Sequence, residues 1–282
     1  MSTIESTFQG SRKTVLLFVL LVVLLLFSLS VFYAFMMAPD DSSLDGVKHV
    51  RSEKDLVKAV ANAVEPTIII FNKDIKLTKT LTIPFNKDII LTSNSDNDVF
   101  FKLLGAKDQD AIFVEDGGVL RLDGVVVTHG YTSSWDVGIG VYVASGGVFV
   151  MLGGEISGNH VGVFVHYGGT FSMCGGEISN NCAYGAGGGV YNLGSFNLSG
   201  GLIVNNTAAV SGCIGYGGGV VVKSGSFTLS GGEISGNKAM GSGGGVVVES
   251  VGNFTMLGTT IVAHNIADSG GGVCNYGSFI AT

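Results

Sequence analysis

Paired carboxylates serve acid and base roles, clustered carboxylates hold Ca²⁺, and an Arg or Lys can act as a base. This chain is short of such parts. From Gly124 to its last residue it has no Arg, and its only Lys are Lys223 and Lys238. The acids there are Asp136, Glu155, Glu177, Glu233, Glu249 and Asp268, none beside another. Asp96-Asn97-Asp98 and Asp108-Gln109-Asp110 do bring acids together, in a pattern that suits turns. Glu155, Glu177 and Glu233 recur beside an Ile, with Leu202 interrupting the series. Stacked, such carboxylates could hold Ca²⁺ or a cationic sugar. The interrupted series fits better a solvated face whose charge discourages sheet aggregation. No catalytic residue, metal ligand or cofactor is assigned, with Ca²⁺ the one ion the series leaves open.

Aromatic residues offer a second chemistry, stacking on sugar rings. Tyr184 and Tyr216 lie in segments of variable length, 181–189 and 206–219, that interrupt an otherwise regular pattern at one place. Insertions that emerge at one corner of a repeat often build a binding face. Trp135, the only Trp, sits in Thr132-Ser133-Ser134-Trp135-Asp136, among His129, Tyr131 and Tyr142. Tyr184, Tyr216 and Trp135 are therefore the candidate ligand-binding residues. The plain alternatives are that the tyrosines cover the corner and that Trp135 anchors a loop. The His spacings match no zinc motif. Of the four Cys, Cys182 and Cys213 stand in successive insertions and are the first candidates for a disulfide. Three sequons occur, at Asn197, Asn205 and Asn253; the first and last fall in strand-like stretches, which makes Asn205 the more comfortable acceptor.

The pattern that must position these residues is a repeat. Phe149, Phe171, Phe196, Phe227 and Phe254 each precede a Gly by four residues, with Met or Leu two after each Phe. Ile156, Ile178, Ile203, Ile234 and Ile261 follow three after each of those Gly. Alternation of this kind reads as short strands with one buried face, broken by glycine corners. A unit this small cannot close a core alone, so the coils must stack. Stacking predicts internal Phe, Leu/Met and Ile ladders and an Asn ladder at a left-handed corner (Asn159, Asn181, Asn206, Asn237). Asn265, one residue late, should break that register. Gly117 to Gly124 already resembles the repeat, with Leu120 in the Phe position.

The fold expected is all-β: a single-stranded parallel β-helix (solenoid) with an N-terminal capping helix and a separate N-terminal transmembrane helix. Residues 14–37 are 24 uncharged residues rich in Leu, Val and Phe, long enough to span a bilayer. Arg12 and Lys13 precede them and Asp40, Asp41 and Asp45 follow, which places the N-terminus in the cytoplasm. The organisation expected is a cytoplasmic tail at 1–13, a signal-anchor helix at 14–37, a linker at 38–48 and a β-helix at 49–282, regular from about 138. Cleavage as a signal peptide is the rival, and it also puts the repeats outside. Ser52 and Asp55 form a capping box for a helix whose Leu56, Val57, Val60 and Val64 would close the solenoid's first end. Gly277-Ser278-Phe279 opens a further coil that stops at Thr282, as a truncation would. A net charge of -7 and the near absence of basic residues in the coils argue against nucleic acid as a partner.

The entry segment Ser52-Glu53-Lys54-Asp55-Leu56-Val57-Lys58-Ala59, Thr80-Leu81-Thr82-Ile83 and the G-G-E-I-S-G-N coils resemble the right-handed, pectate-lyase-like β-helix superfamily. They are more similar still to its glycine-rich, adhesin-like surface proteins of archaea and bacteria. The resemblance covers roughly residues 48–282. It implies either a membrane-anchored, non-catalytic surface protein that binds polysaccharide or cell-surface material, or a polysaccharide lyase or glycoside hydrolase. The missing Arg and paired acids favour the first.

Overall fold

The computed structural model describes residues 46–64, 66–93, 100–130, 138–208 and 215–282. The expected span at 14–37 lies outside these residues, as do Trp135, Cys213 and the Asp96–Asp98 pair. Among the described residues no helix is long and apolar enough to cross a membrane.

Gly46 onward forms one unit, a parallel β-solenoid of about seven turns. Its strands fall on three faces. The first holds Leu81–Ile83, Ile112–Val114, Ile139–Val143, Val161–Val165 and Val190–Asn192, then the leading halves of Val220–Leu229 and Val246–Met256. The second runs from Val47–Val50 and Thr67–Phe71 through Val148–Met151, Thr170–Met173 and Ser195–Leu198 into the trailing halves of the same two long strands. The third stacks eight short strands, among them Glu155–Ser157, Glu177–Ser179, Leu202–Val204 and Glu233–Ser235. The strand pairings among these are parallel, and in the regular coils each residue type lies over its equivalent one coil away. A bulge between Val222 and Ser224 shifts the register where the two long strands pass from the first face to the second.

The core follows from that register. Phe149, Phe171, Phe196, Phe227 and Phe254 are at most 1% exposed, with ring centroids 4.6 to 4.9 Å apart and nearly parallel planes. Leu120 pairs with Phe149 and continues the column with an aliphatic side chain. Ile156, Ile178, Ile203 and Ile234 form the column expected, but Ile261 does not join it. Val262 pairs with Ile234, while Ile261 pairs with Glu233 and is 48% exposed. The last corner holds one residue more than the others, and Gly258 turns it at φ +66. That extra residue keeps Asn265 in line: its Oδ1 accepts from the Asn237 backbone N–H at 2.9 Å and from Asn237 Nδ2 at 3.0 Å. The asparagine register therefore survives in the last coil, contrary to the expectation.

Asn159, Asn181, Asn206 and Asn237 of the ladder are fully internal. Each Nδ2 donates to the next Oδ1, at 2.9 Å from Asn159 to Asn181 and again from Asn181 to Asn206, and at 3.0 Å from Asn206 to Asn237. The left-handed residue is the one before the ladder, Gly158, Asn180, Asn205, Gly236 or His264, rather than the ladder Asn itself. A positive φ there turns the corner and aims the following side chain inward. The side chain then occupies space that the neighbouring strand must leave open. A Cβ on Gly162 would stand 3.0 Å from Asn181 Nδ2.

The helix α1, Glu53–Ala61, has Ser52 as N-cap, whose Oγ accepts from Asp55 N at 3.2 Å and donates to Asp55 Oδ2 at 2.8 Å. Leu56, Ala59 and Val60 bury into the solenoid core, whereas Val57 and Val64 are exposed, so the apolar stripe is narrower than the sequence suggests. Glu53 fastens the helix to the first coil by accepting from Thr78 N at 2.7 Å and from its Oγ1 at 2.9 Å.

Candidate functional site

The described parts of the variable segments pack onto the solenoid. Cys182–Ala183, Thr207–Ala208 and Lys238–Ala239 pair in parallel as a small further sheet, with Ala183, Ala208 and Ala239 buried. Glycine runs then fold back across the outer side of the first face. There Val221 and Val247 point away from the core yet are only 1% exposed. Gly243 lies so close to Val247 that a Cβ would come within 2.8 Å of it, and Gly187 sits on Tyr191 in the same way, at 2.9 Å. Only glycine lets the covering layer lie this near the sheet.

The outer side of the first face also carries a column of rings, which runs up to the covered part at Tyr191. Phe113, Tyr142, Phe164 and Tyr191 are register partners one coil apart. Their centroids are 5.2, 4.9 and 5.2 Å apart, and the last two pairs are stacked within 13° of parallel. All four are half-exposed, because the residues on either side of each, such as Val141 and Val143 or Val163 and Val165, point into the core. His166 stacks on Tyr142 at 6.3 Å, and the half-exposed Tyr167 ring meets His166 edge-on.

Carboxylates rim this column. Asp110, half-buried, accepts from Ile139 N at 3.1 Å. Burial pushes its carboxyl above the ordinary range, against the opposing pull of that hydrogen bond and of His129. Burial and then Asp110 raise the Tyr142 phenol. Tyr191 is also raised, chiefly by burial, with Glu249 adding and Lys223 opposing. Both phenols therefore stay protonated near neutral pH, able to donate as well as accept. Lys223 is turned to Glu249 at 3.4 Å, so the column's far rim is charge-balanced.

Beside the column, His129 heads the Asn ladder. Its Nδ1 faces Asn159 Oδ1 at 2.7 Å and its Nε2 faces the Gln109 carbonyl at 2.8 Å. Gly105 and Gly138 flank the imidazole, and a Cβ on either would overlap it. His129 is a buried structural side chain, not a surface one.

Tyr184 and Tyr216, two of the candidates named from sequence, are set apart by this arrangement. Tyr184 packs on His160, centroids 4.9 Å apart, with its hydroxyl enclosed. Tyr216 is 39% exposed and pairs with Ala186, two residues past Tyr184 on the neighbouring coil, so the two tyrosines share no column. Trp135 and the Cys182–Cys213 pairing fall outside the described residues. Glu155 and Glu177 are register partners on the outer side of the third face, and Glu233 is set apart by Leu202. Among the described residues no three His, Cys, Asp or Glu are grouped to hold a metal ion. The ring column escaped the sequence reasoning, although Gly140-Val-Tyr-Val, Gly162-Val-Phe-Val and Gly189-Val-Tyr-Asn carry it openly.

A scan against protein-family models, a search of curated proteins and a search of solved structures found no match to this chain.

Proposed function

We propose that this chain is an extracytoplasmic β-helix held at the cell membrane by one N-terminal span, and that it binds glycans or neighbouring cell-surface material without turning them over. In this proposal it is an adhesin-like relative of the pectate-lyase-like β-helices, and α1 is the lid on its first end. The uncharged stretch at 14–37, with Arg12 and Lys13 before it and acids after it, supports the anchor.

The binding half rests on one observation, the half-exposed column Phe113–Tyr142–Phe164–Tyr191. Stacking hides most ring faces inside the column. It leaves a strip of ring edges repeated along the axis at the strand spacing of roughly 4.8 Å, with phenolic hydroxyls on Tyr142 and Tyr191, two coils apart. An apolar strip with hydroxyls at its edge suits a sugar chain, which has apolar C–H patches and polar rims of its own. Asp110, the carboxylate beside Tyr142, disfavours polyuronates and other polyanions at that end of the column.

The test is to incubate residues 46–282 with immobilised neutral and acidic polysaccharides, with and without Ca²⁺, scoring retained protein and newly formed chain ends. Retention without new ends, weakened at least several-fold in Tyr142→Ala and Phe164→Ala, is the expected result. No retention on any polymer would reduce the protein to a spacer. New ends with turnover would instead favour a polysaccharide-cleaving enzyme, and the half-buried Asp110 beside Tyr142 is the carboxyl such chemistry would use first.

A further inference from the structure

The second face has an outer surface of a different kind. One outward column runs Thr170, Ser195, Ser226, Asn253, and the next runs Ser172, Asn197, Thr228, Thr255. The side chains are short and uncharged, while the large apolar residues of the same strands, Phe171, Met173, Phe196, Leu198, Phe227 and Leu229, point inward and are buried. Two of the three sequons, Asn197-Leu198-Ser199 and Asn253-Phe254-Thr255, place their Asn on this surface, both exposed. Asn197 has Ser172 on the preceding coil and Thr228 on the following one. Asn253 lies between Ser226 and Ser278.

The third sequon is placed differently. Asn205 occupies a left-handed corner at φ 57, and its Oδ1 lies where a Cβ on Gly236 would be only 2.6 Å away. Its side chain, though exposed, lies against the backbone of the next coil at that corner. The strand sites are not cramped by the Phe ladder, as the sequence had suggested they would be. The alternation of a strand puts that ladder on the opposite side from Asn197 and Asn253.

We infer that Asn197 and Asn253 are N-glycan attachment sites and that the second face is the glycan-bearing side of the solenoid. The inference rests on the extracytoplasmic placement proposed above, since the modification occurs only on translocated chain. A linked sugar at either position meets hydroxyl-bearing neighbours that can hydrogen-bond to it and are too short to obstruct it. The amide keeps one N–H after the linkage forms. Asn253 Nδ2 can therefore retain its contact with the Gly225 carbonyl, 3.3 Å away. Sugars there would shield the flat second face from edge or face association and leave the ring column of the first face open.

The experiment is expression of the full chain in an N-glycosylating secretory system, with two independent readouts. Protease protection by intact membranes reports translocation of the β-helix. Endoglycosidase-sensitive mass increments report glycans. The expected result is protection with two increments, one lost in Asn197→Gln or Ser199→Ala, the other in Asn253→Gln or Thr255→Ala, and neither in Asn205→Gln. A protected β-helix without increments overturns the inference and leaves the topology standing. Increments lost only in Asn205→Gln overturn it too. An unprotected β-helix overturns both the topology and this inference.

Discussion

Asn206 uses every polar atom of its side chain inside the solenoid. Oδ1 accepts from the Asn181 backbone N–H at 3.1 Å and from Asn181 Nδ2 at 2.9 Å. Nδ2 donates to Ile178 O at 2.8 Å, Val204 O at 3.1 Å and Asn237 Oδ1 at 3.0 Å. Asn206→Ala would strand the buried Asn181 donors, and each unsatisfied buried group costs about 1–3 kcal/mol. A loss of about 3 kcal/mol in denaturant unfolding is expected; a loss below about 0.5 kcal/mol would show that water takes over the ladder. Asn206→Asp should be at least as damaging, because carboxylate oxygens would then face the Ile178 and Val204 carbonyls. Asp110 supplies a pH-dependent case. Burial holds its folded carboxyl above the ordinary value of 3.8, so between those two values the native state binds more protons than the unfolded chain. Stability from this group is present at low pH and lost as pH rises through the raised folded value. Asp110→Asn keeps an acceptor for Ile139 N–H and should be more stable than the parent at pH 7. The advantage should fade as pH falls toward 3.8. An advantage that grows on acidification would refute the buried-charge account.

The second glycine of each Phe–Gly corner shows how a strand-to-strand element is built. Gly154, Gly176, Gly201 and Gly232 have φ from 79° to 94°, and a Cβ on Gly201 would stand 2.7 Å from the Gly176 carbonyl of the coil before it. Backbone strain of about 1–3 kcal/mol plus that overlap predicts clear destabilisation for Gly201→Ala. Gly185→Ala, with nothing within 4 Å and no positive φ, should change the unfolding midpoint little. Equal effects in the two variants would mean that the corners relax freely. These corners were legible in the sequence because glycine marks them in every regular coil, and the Phe, Leu/Met and Asn columns were legible for the same reason. Ile261 was misplaced because counting from the Phe assumes a corner of fixed length; the pairing of Val262 with Ile234 and the hydrogen bond from Asn237 to Asn265 reveal the extra residue. The covering glycine layer was not legible at all. Insertions look like protruding loops until Val221 and Val247, apolar residues on an outward column, are seen to need a cover. Of the candidate site, the sequence showed the aromatic residues in the insertions, Tyr184 and Tyr216, but not the stacking of Phe113, Tyr142, Phe164 and Tyr191, which depends on the coil-to-coil register.

At the scale of the whole solenoid, hydrogen bonds that hold coil to coil join residues such as Asn159 and Asn181, 22 apart, or Asn237 and Ile203, 34 apart. Each coil therefore supports only its neighbours, and stability should be distributed as it is in a one-dimensional array. Phe196 lies in the middle of the ring column of the core, 4.7 Å from Phe171 and 4.6 Å from Phe227. Phe196→Ala removes both stacking contacts and opens a cavity that the rigid glycine corners cannot collapse, a cost of about 3–5 kcal/mol. In a globular core that cost would be shared by every amide that exchanges through global unfolding. Here it should fall on the coils holding Phe171, Phe196 and Phe227. Amide hydrogen exchange should therefore show protection lost most in Thr170–Met173, Ser195–Leu198 and Val220–Leu229, and least in Val47–Val50 and Thr67–Phe71, where α1 and its bonds to Thr78 hold the first coil independently. A uniform loss along the chain would mean that the solenoid unfolds as one cooperative body, and that its regular stacking is the result of a single folding unit instead of a chain of coupled ones.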